Sequence, residues 1–465
     1  MTSKAKIHFE ISERKILLRF FDVVSVLGLL HLLGTLFDFH YFRISETNFY
    51  WTIILSLYIL FFGSVFEMYN LQVASNQFQI TKSIVLVTST TVLLYLLTPI
   101  ITPTLPGNRL QILLFYSCIL LSLLLWRIIY VKFFASTRFG KKVILICDKE
   151  ELEELVKGLQ SVDPHYKIEG YINSDASQIL EEFECCFVSP IDLDDIEDFI
   201  LQKGISEIVI ASQKTEGITV ELYNKLIKLL ENGFVIREYT QVYESITQRI
   251  PVQYLARDFY KYFPFSRSNQ NKLYLIVARF LEVLISLLGL LGGILILPFV
   301  LLGNLLGNRG PLFYTQERVG KNGEIFEIYK LRSMIVNAET SGAVFATAND
   351  SRITTFGKFL RKSRLDEVPQ FINVLKGDMS VIGPRPERPV FVKEIAQIMP
   401  FYETRHVLKP GLTGWAQVNY SYGETIDDSL IKLQYDLYYI KHRSIYLDLN
   451  IIVKTISTVL FYKGQ

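Results

Sequence analysis

Val283–Leu302 reads VLISLLGLLGGILILPFVLL, twenty residues without a charge. A run of this length matches the roughly 20 residues a helix needs to cross a bilayer and exceeds what a buried core helix uses. Basic residues flank it on both sides: Arg267, Lys272 and Arg279 before, Arg309, Arg318 and Lys321 after. Positive residues favour the cytoplasmic side, so a segment with such flanks at both ends is expected to enter and leave by one face. Pro298 lies inside it, and proline removes a backbone hydrogen bond and kinks a helix. Gly289, Gly292 and Gly293 ease close packing or a bend. The expectation is a broken re-entrant membrane helix over 273–306 instead of a full span.

Four further apolar runs occupy residues 1–140: Ile16–Phe37, Phe49–Phe66, Ile84–Ile101 and Leu110–Phe134. Each is near spanning length, and the first is interrupted by Arg19, Asp22 and His31. Their outer flanks are basic, with Lys4, Lys6, Arg14, Lys15 and Arg19 before and Lys132, Arg138, Lys141 and Lys142 after. That pattern predicts a four-helix transmembrane domain with both ends in the cytoplasm. A hydrophobic content of 50% with 20% charged residues excludes an ordinary soluble enzyme. The net charge of +2 gives no reason to expect nucleic acid as a partner. No removable signal peptide is expected. Cys118, Cys147, Cys185 and Cys186 follow neither a zinc nor a disulfide pattern and read as reduced, buried and structural.

Residues 141–250 alternate strands and helices: KKVILIC, DKEELEELVKGLQ, ISEIVIAS, VELYNKLIKLL, GFVIREYT. Alternation predicts a small parallel α/β domain of Rossmann-like kind. A nucleotide-binding version carries G-x-G-x-x-G after its first strand. Here that place reads ICDKEE, and G-x-G occurs nowhere in the chain. A shell without a nucleotide site is expected, serving scaffolding, dimerisation or regulation. Residues 251–272 read as a linker, and 307–465 as a polar, turn-rich α/β domain that holds most of the dense motifs.

Those motifs are cationic. YKLRSM sets Lys330 and Arg332 two apart, on one face if this is a strand. Arg352, Lys358, Arg361, Lys362 and Arg364 follow with no acidic residue between 352 and 364, and Arg385 stands between Pro384 and Pro386. Flanking prolines restrict the backbone, and planar guanidinium groups suit phosphate. A basic bowl beside a membrane segment predicts an anionic substrate, an anionic lipid, or both. Within it lies the adjacent pair Asp366–Glu367, two residues before Pro369. Neighbours on a helix point about 100° apart, so a divided role is natural. One carboxylate attacks phosphorus while the other holds a divalent metal together with substrate phosphates. Proline restricts the preceding residue, so a helix is expected to end there with the pair near its last turn.

The stretches ERVGKNGEIFEIYKLRSM, RKSRLDEVPQFINVLKGDMSVIGPRPE, KPGLTGWAQVN and YDLYYIKHRSIYLDL together resemble the bacterial polyprenyl-phosphate sugar-1-phosphate transferases. The resemblance covers about residues 270–465, and the N-terminal layout is similar to the large members of that family. It implies transfer of a sugar 1-phosphate from a UDP-sugar to undecaprenyl phosphate, with UMP released. It also implies a monotopic catalytic domain on the cytoplasmic face of the bacterial inner membrane, and Mg2+ as cofactor. Carried over, Asp366 is the nucleophile, and Glu367 binds or orients the metal, with Asp366 beside it. Lys330, Arg332 and Arg385 hold phosphates, joined by Arg352, Arg361 and Arg364 from the bowl, and Asp436 matches an acidic position. Where the family has Lys-Arg and a nearby Asp at the start of the re-entrant helix, this chain has Ala278–Arg279 and Glu282. The sugar is not legible, and a homodimer through the middle domain is a reasonable arrangement. The terminal SIYLDLNIIVKTISTVLFYK suits either an interfacial amphipathic helix or packing on the re-entrant segment.

Two rivals stand beside this reading. A membrane-anchored nucleotide-sugar dehydratase or epimerase also joins an anchor to an α/β domain, but needs the missing glycine fingerprint. A non-catalytic scaffold of polysaccharide assembly would not need the intact Asp366–Glu367 pair, Lys330 and the Pro384–Pro386 motif.

Overall fold

The computed structural model describes residues 11–36, 41, 48–69, 77–133, 141–148, 152–160, 166–173, 188–211, 219–252, 271–336, 338, 350–399, 401–420 and 426–460. Cys185, Cys186, the flanking Lys4, Lys6, Arg138 and Arg267, and most of the 251–272 linker lie outside these residues. The chain divides into two compact units, Met1–Thr247 and Gln248–Gln465.

The first unit begins with four apolar helices, α1 (Ile11–Leu36), α2 (Tyr50–Val65), α3 (Gln77–Leu97) and α4 (Arg109–Phe133). α1 packs on α4 and α2, and α3 packs on α2 and α4, so the four close into a bundle. α1, α3 and α4 are long and apolar enough to cross a bilayer, while α2 has only 16 residues. One of the polar residues that interrupt the first apolar run, Asp22, has a structural use. Asp22 on α1 pairs with Arg127 on α4 at 2.7 Å, both fully buried. A lone charge at the centre of a membrane helix costs about 3 kcal/mol, so pairing two of them fastens the first helix to the last. Cys118 and Cys147 are both buried.

The same unit continues into β1 (Lys141–Cys147), α5 (Leu152–Gln160), β2 (Tyr166–Asn173), β3 (Ser189–Pro190), α6 (Ile196–Lys203), β4 (Glu207–Ile210), α7 (Val220–Glu231), β5 (Val235–Glu238) and α8 (Tyr239–Thr247). The strands form one parallel sheet in the order β3-β2-β1-β4-β5, the order of a doubly wound α/β sheet. β1 is apolar along Val143–Cys147 because helices cover both faces of a parallel sheet. Its buried cluster joins Ile144 and Ile146 to Leu222, Leu226 and Leu229 of α7.

The second unit is organised around α9 (Lys272–Gly307), a single helix of 36 residues, about 54 Å at 1.5 Å per residue. Asn271 caps it, accepting from the amides of Leu273 and Tyr274 at 3.1 and 3.2 Å. The backbone stays helical through Pro298, so the segment is one helix and not two. Packing accounts for this: Val300, just past the proline, is buried with Leu331 and Leu360. An antiparallel hairpin follows, β6 (Phe313–Val319) and β7 (Ile325–Leu331). Its turn uses Asn322 and Gly323 at φ 56° and 81°, a left-handed backbone these residue types tolerate. Then come α10 (Thr355–Lys362), α11 (Gln370–Lys376), β8 (Ser380–Ile382), α12 (Pro389–Ile398), β9 (Gly411–Thr413), α13 (Trp415–Asn419), α14 (Ile426–His442) and α15 (Ile445–Leu460). β8 and β9 pair in parallel. The largest core of this unit gathers Phe391, Trp415, Leu433, Leu437 and Ile451.

α9 is gripped along its length by other elements of this unit. Near its start, Arg279 donates to the carbonyls of Val374 and Leu375 at 2.7 and 2.9 Å, at the carbonyl-rich end of α11. Arg279 also pairs with Glu282 at 3.3 Å, and Glu282 accepts from the hydroxyl of Ser380 on β8. Tyr274 donates to Asp448 of α15. Midway, Gly289 lies against Phe371 and Gly293 against Val368. At its end, Asn308 donates to the Arg332 carbonyl at 2.5 Å.

Candidate active site

The backbone before Asp366 is redirected by one residue. α10 stops at Lys362, and Arg364 adopts a left-handed conformation with φ 59°. Leu365–Glu367 then form one turn of 3-10 helix, and Pro369 stands at the head of α11. The expectation of a helix ended by Pro369 is corrected here. Val368 is itself helical, and the proline opens a helix, where its missing N–H costs nothing. The carboxylate pair therefore sits on a short turn between two helices, directly under α9 at Gly293.

The two carboxylates differ sharply. Glu367 Oε1 is surrounded by cations: Arg385 at 3.1 Å, Arg364 at 3.6 Å and Lys330 at 4.0 Å. Burial works against its ionisation, but Arg385, Lys330 and Arg364 outweigh that and hold its carboxyl below the usual range. Asp366 is 8% exposed, and its Oδ1 is buried with no hydrogen-bond partner among the described residues. Burial and then the Glu367 charge push its carboxyl up, against the pull of Lys330, Arg361 and Arg364. Lys330 is brought down to about 8 by burial, opposed by Glu367. One carboxylate is thus firmly held as an anion, and the other presents an unclaimed oxygen.

The expected cations divide into two groups. Lys330, Arg364 and Arg385 converge on Glu367, and Arg361, which donates to Ser333 Oγ at 3.0 Å, lies near enough to influence Asp366. Arg332 does not join them. Its Nε donates to the Pro311 carbonyl at 2.7 Å, its Nη1 to the Met334 carbonyl at 2.7 Å, and its Nη2 to the Asn308 carbonyl. It clamps the end of α9 to the hairpin. Arg352 turns to Asp350 at 2.5 Å and to the Ala338 carbonyl at 3.1 Å. Asp436, on α14, is also elsewhere: it is buried against Arg405 at 2.7 Å.

Pro384 and Pro386 explain how Arg385 is presented. Prolines offer no N–H, so Pro384–Glu387 keeps only the Arg385 and Glu387 amides as main-chain donors, and its carbonyls carry more of the fixing. Four in succession are taken. Pro384 accepts from the Gly411 amide at 2.9 Å, Arg385 from Arg405 at 3.0 Å, Pro386 from Arg318 at 3.0 Å, and Glu387 from the Val319 amide at 2.9 Å. Sequence reasoning gave Arg318 only a flanking role and missed Arg405. Both lie far from Arg385 along the chain, and nothing local marks them.

No cluster of three or more metal-ligating side chains exists among the described residues. The donor set still fits Mg2+, which commonly takes one or two carboxylates and completes its shell with phosphate oxygens and water. The unpartnered Asp366 Oδ1 is the observation that supports this.

The site is a basic, carboxylate-bearing turn next to Val368, which packs on a long apolar helix at Gly293. Residues 273–462 match the family described as bacterial sugar transferase. The chain is 38% identical over 256 residues to a UDP-N-acetylgalactosamine-undecaprenyl-phosphate N-acetylgalactosaminephosphotransferase of Aeromonas hydrophila, covering 55% of this chain and 59% of that one. It is 42% identical over 194 residues to a UDP-glucose:undecaprenyl-phosphate glucose-1-phosphate transferase of Xanthomonas campestris pv. campestris, covering 41% and 40%. A putative undecaprenyl-phosphate N-acetylgalactosaminyl 1-phosphate transferase of Bacillus subtilis (strain 168) is 46% identical over 144 residues, 30% of this chain and 79% of that one. The chain belongs to the bacterial sugar transferases, the polyprenyl-phosphate sugar-1-phosphate transferase family. The matched part spans about half the length of the first two relatives.

Proposed function

We propose that this protein transfers a sugar 1-phosphate from a UDP-sugar to undecaprenyl phosphate, giving undecaprenyl-diphosphate-sugar and UMP, and so initiates polysaccharide synthesis. The observation that carries the reading is the buried, unpartnered Asp366 Oδ1 beside a glutamate ringed by three cations. In the first half-reaction an oxygen of the Asp366 carboxylate attacks the phosphorus that bears the sugar. The new P–O bond forms as the phosphoanhydride bond to UMP breaks, and UMP leaves with the electron pair. In the second, an oxygen of the lipid phosphate attacks the same phosphorus, and the Asp366 carboxylate departs. One phosphoanhydride replaces another, so little free energy is lost overall. The raised carboxyl of Asp366 makes it a stronger nucleophile than an exposed aspartate. Lys330, Arg361, Arg364 and Arg385 offset the charge that accumulates as anions meet. Mg2+ would be held by the Asp366–Glu367 carboxylates with phosphate oxygens, supplying further positive charge when bound.

The reading includes a re-entrant α9, with the catalytic unit on the cytoplasmic face of the inner membrane. Its support is that the start, middle and end of α9 are all held by polar elements of one unit: Arg279 by α11, Gly293 by Val368, Asn308 by Arg332. A helix threaded through a bilayer could not keep all three on one side. Its opposite surface exposes Phe280, Leu288, Leu291, Leu295 and Phe299, which suits hydrocarbon. Ile445, Tyr446 and Leu449 of α15 are exposed too, as an interfacial helix requires. The test is UMP release from UDP-glucose and UDP-N-acetylgalactosamine with undecaprenyl phosphate and Mg2+. Release is expected from the wild type and not from Asp366→Asn, and substantial turnover by that variant would remove Asp366 from its role.

A further inference from the structure

Arg385 reaches Glu367 from a segment in which both its neighbours lack an N–H, and the main chain there is held through its carbonyls. The Arg385 carbonyl is held by Arg405, a fully buried guanidinium. Arg405 Nη2 lies 3.0 Å from that carbonyl and 2.7 Å from Asp436 Oδ2, while Nη1 donates to the Tyr402 hydroxyl at 2.6 Å. The contact to Asp436 Oδ2 is an ion pair and not a hydrogen bond, while the planar guanidinium directs its hydrogen bonds to a hydroxyl and a carbonyl at fixed angles, which a lysine cannot. Asp436 sits on α14, anchored by Leu433, Leu437 and Ile440 in the main core of the unit. The chain of contacts therefore runs from the core, through Asp436 and Arg405, to the Arg385 main chain, and through the Arg385 side chain to Glu367 at 3.1 Å. No other use for Asp436 is visible. It is 1% exposed and faces a cation, so it cannot meet an incoming phosphate.

We propose that Arg405, oriented by Asp436 and Tyr402, is a positioning residue that sets the reach of Arg385 to the carboxylate pair. This rests on the function proposed above and assigns Asp436 a role within it. Breaking the clamp frees the Arg385 segment without removing a charge from the site. A misplacement of about 1 Å in a reacting constellation costs about 100-fold in rate.

The experiment is an epistasis cycle on the full chain in nanodiscs, with UMP release followed from UDP-glucose or UDP-N-acetylgalactosamine. Arg405→Lys is expected to lower kcat about 100-fold while leaving KM for the UDP-sugar within about threefold. Combined with Arg385→Ala it should be no worse than Arg385→Ala alone, to within about twofold. Multiplying losses would show that Arg405 acts independently and would overturn the proposal. An Arg385→Ala variant of full activity would overturn it as well, and would count equally against the site proposed above. A second readout needs no turnover. Hydrogen exchange at the Gly411 and Val319 amides, which bond the carbonyls of Pro384 and Glu387, should quicken in Arg405→Lys and in the isosteric Asp436→Asn. Exchange should stay unchanged in α14. Unaltered exchange at both amides in a folded variant would refute the clamp, even in a preparation without transferase activity.

Discussion

Gly292 and Gly293 are neighbours on α9 with opposite surroundings, and this makes a sharp test of how the membrane helix governs the site. A Cβ built at Gly293 would stand 2.6 Å from Val368 Cγ1, whereas one at Gly292 would meet nothing within 4 Å. Carbon atoms pack best at about 3.5–4.0 Å, so Gly293→Ala requires the two segments to part by about 1 Å. Val368 is β-branched and stiff at χ1, which limits escape by rotation. Overpacking of this kind costs about 1–3 kcal/mol, against about 1 kcal/mol gained by replacing glycine in a helix. Val368 is one residue from Glu367, so the displacement falls on the catalytic turn, where 1 Å is worth about 100-fold. Gly292→Ala has only the helix gain. The assay is kcat/KM for UMP release from matched membrane preparations, with thermal unfolding of both variants. Gly293→Ala should lose about two orders of magnitude while Gly292→Ala stays within about twofold of wild type. Equal activity in the two would refute the claim that α9 positions Asp366 and Glu367.

Three further outcomes follow from the same geometry. Asp366 has a raised carboxyl in the folded state, so its ionisation opposes folding, fully so above the folded value and not at all below the unfolded one. Asp366→Asn should therefore unfold at a higher temperature than wild type at pH 7.5, with the difference shrinking toward pH 4, although the variant is inactive. The Lys330 ammonium, lowered to about 8, should give an alkaline fall in kcat near that pH, and Lys330→Arg should move this limb upward because guanidinium stays charged. Single cysteines placed at Lys272, the first residue of α9, and at Arg309, just past its end, should both react with a membrane-impermeant thiol reagent in inside-out vesicles and neither in right-side-out ones.

What the sequence disclosed depended on how local the signal was. The uncharged run Val283–Leu302 announced a membrane helix by length, and the Asp366–Glu367 pair announced itself by lying among cations. Their convergence with Lys330, Arg364 and Arg385 was legible because a phosphate site needs those charges. The directions of individual guanidinium groups were not. Arg332 lies two residues from Lys330, but its fork is filled by the carbonyls of Asn308, Pro311 and Met334, a choice made by where α9 ends. Arg352 is likewise claimed by Asp350, two residues away. Pro369 was misread because proline opens helices as readily as it closes them, and the decisive residue was Arg364, whose positive φ no pattern betrays. Pro298 left α9 intact because tertiary packing around Val300 outweighs one lost hydrogen bond. The Arg405–Asp436 pair was hidden because its partners are 31 residues apart in sequence and meet only when α14 packs into the core.

The most direct measurement is mass spectrometry of the enzyme incubated with UDP-glucose or UDP-N-acetylgalactosamine and Mg2+, without lipid acceptor, then quenched and digested. A sugar phosphate on the peptide carrying Asp366, chased off by undecaprenyl phosphate, is the predicted result. Transfer to lipid at full rate with that side chain never modified would contradict it.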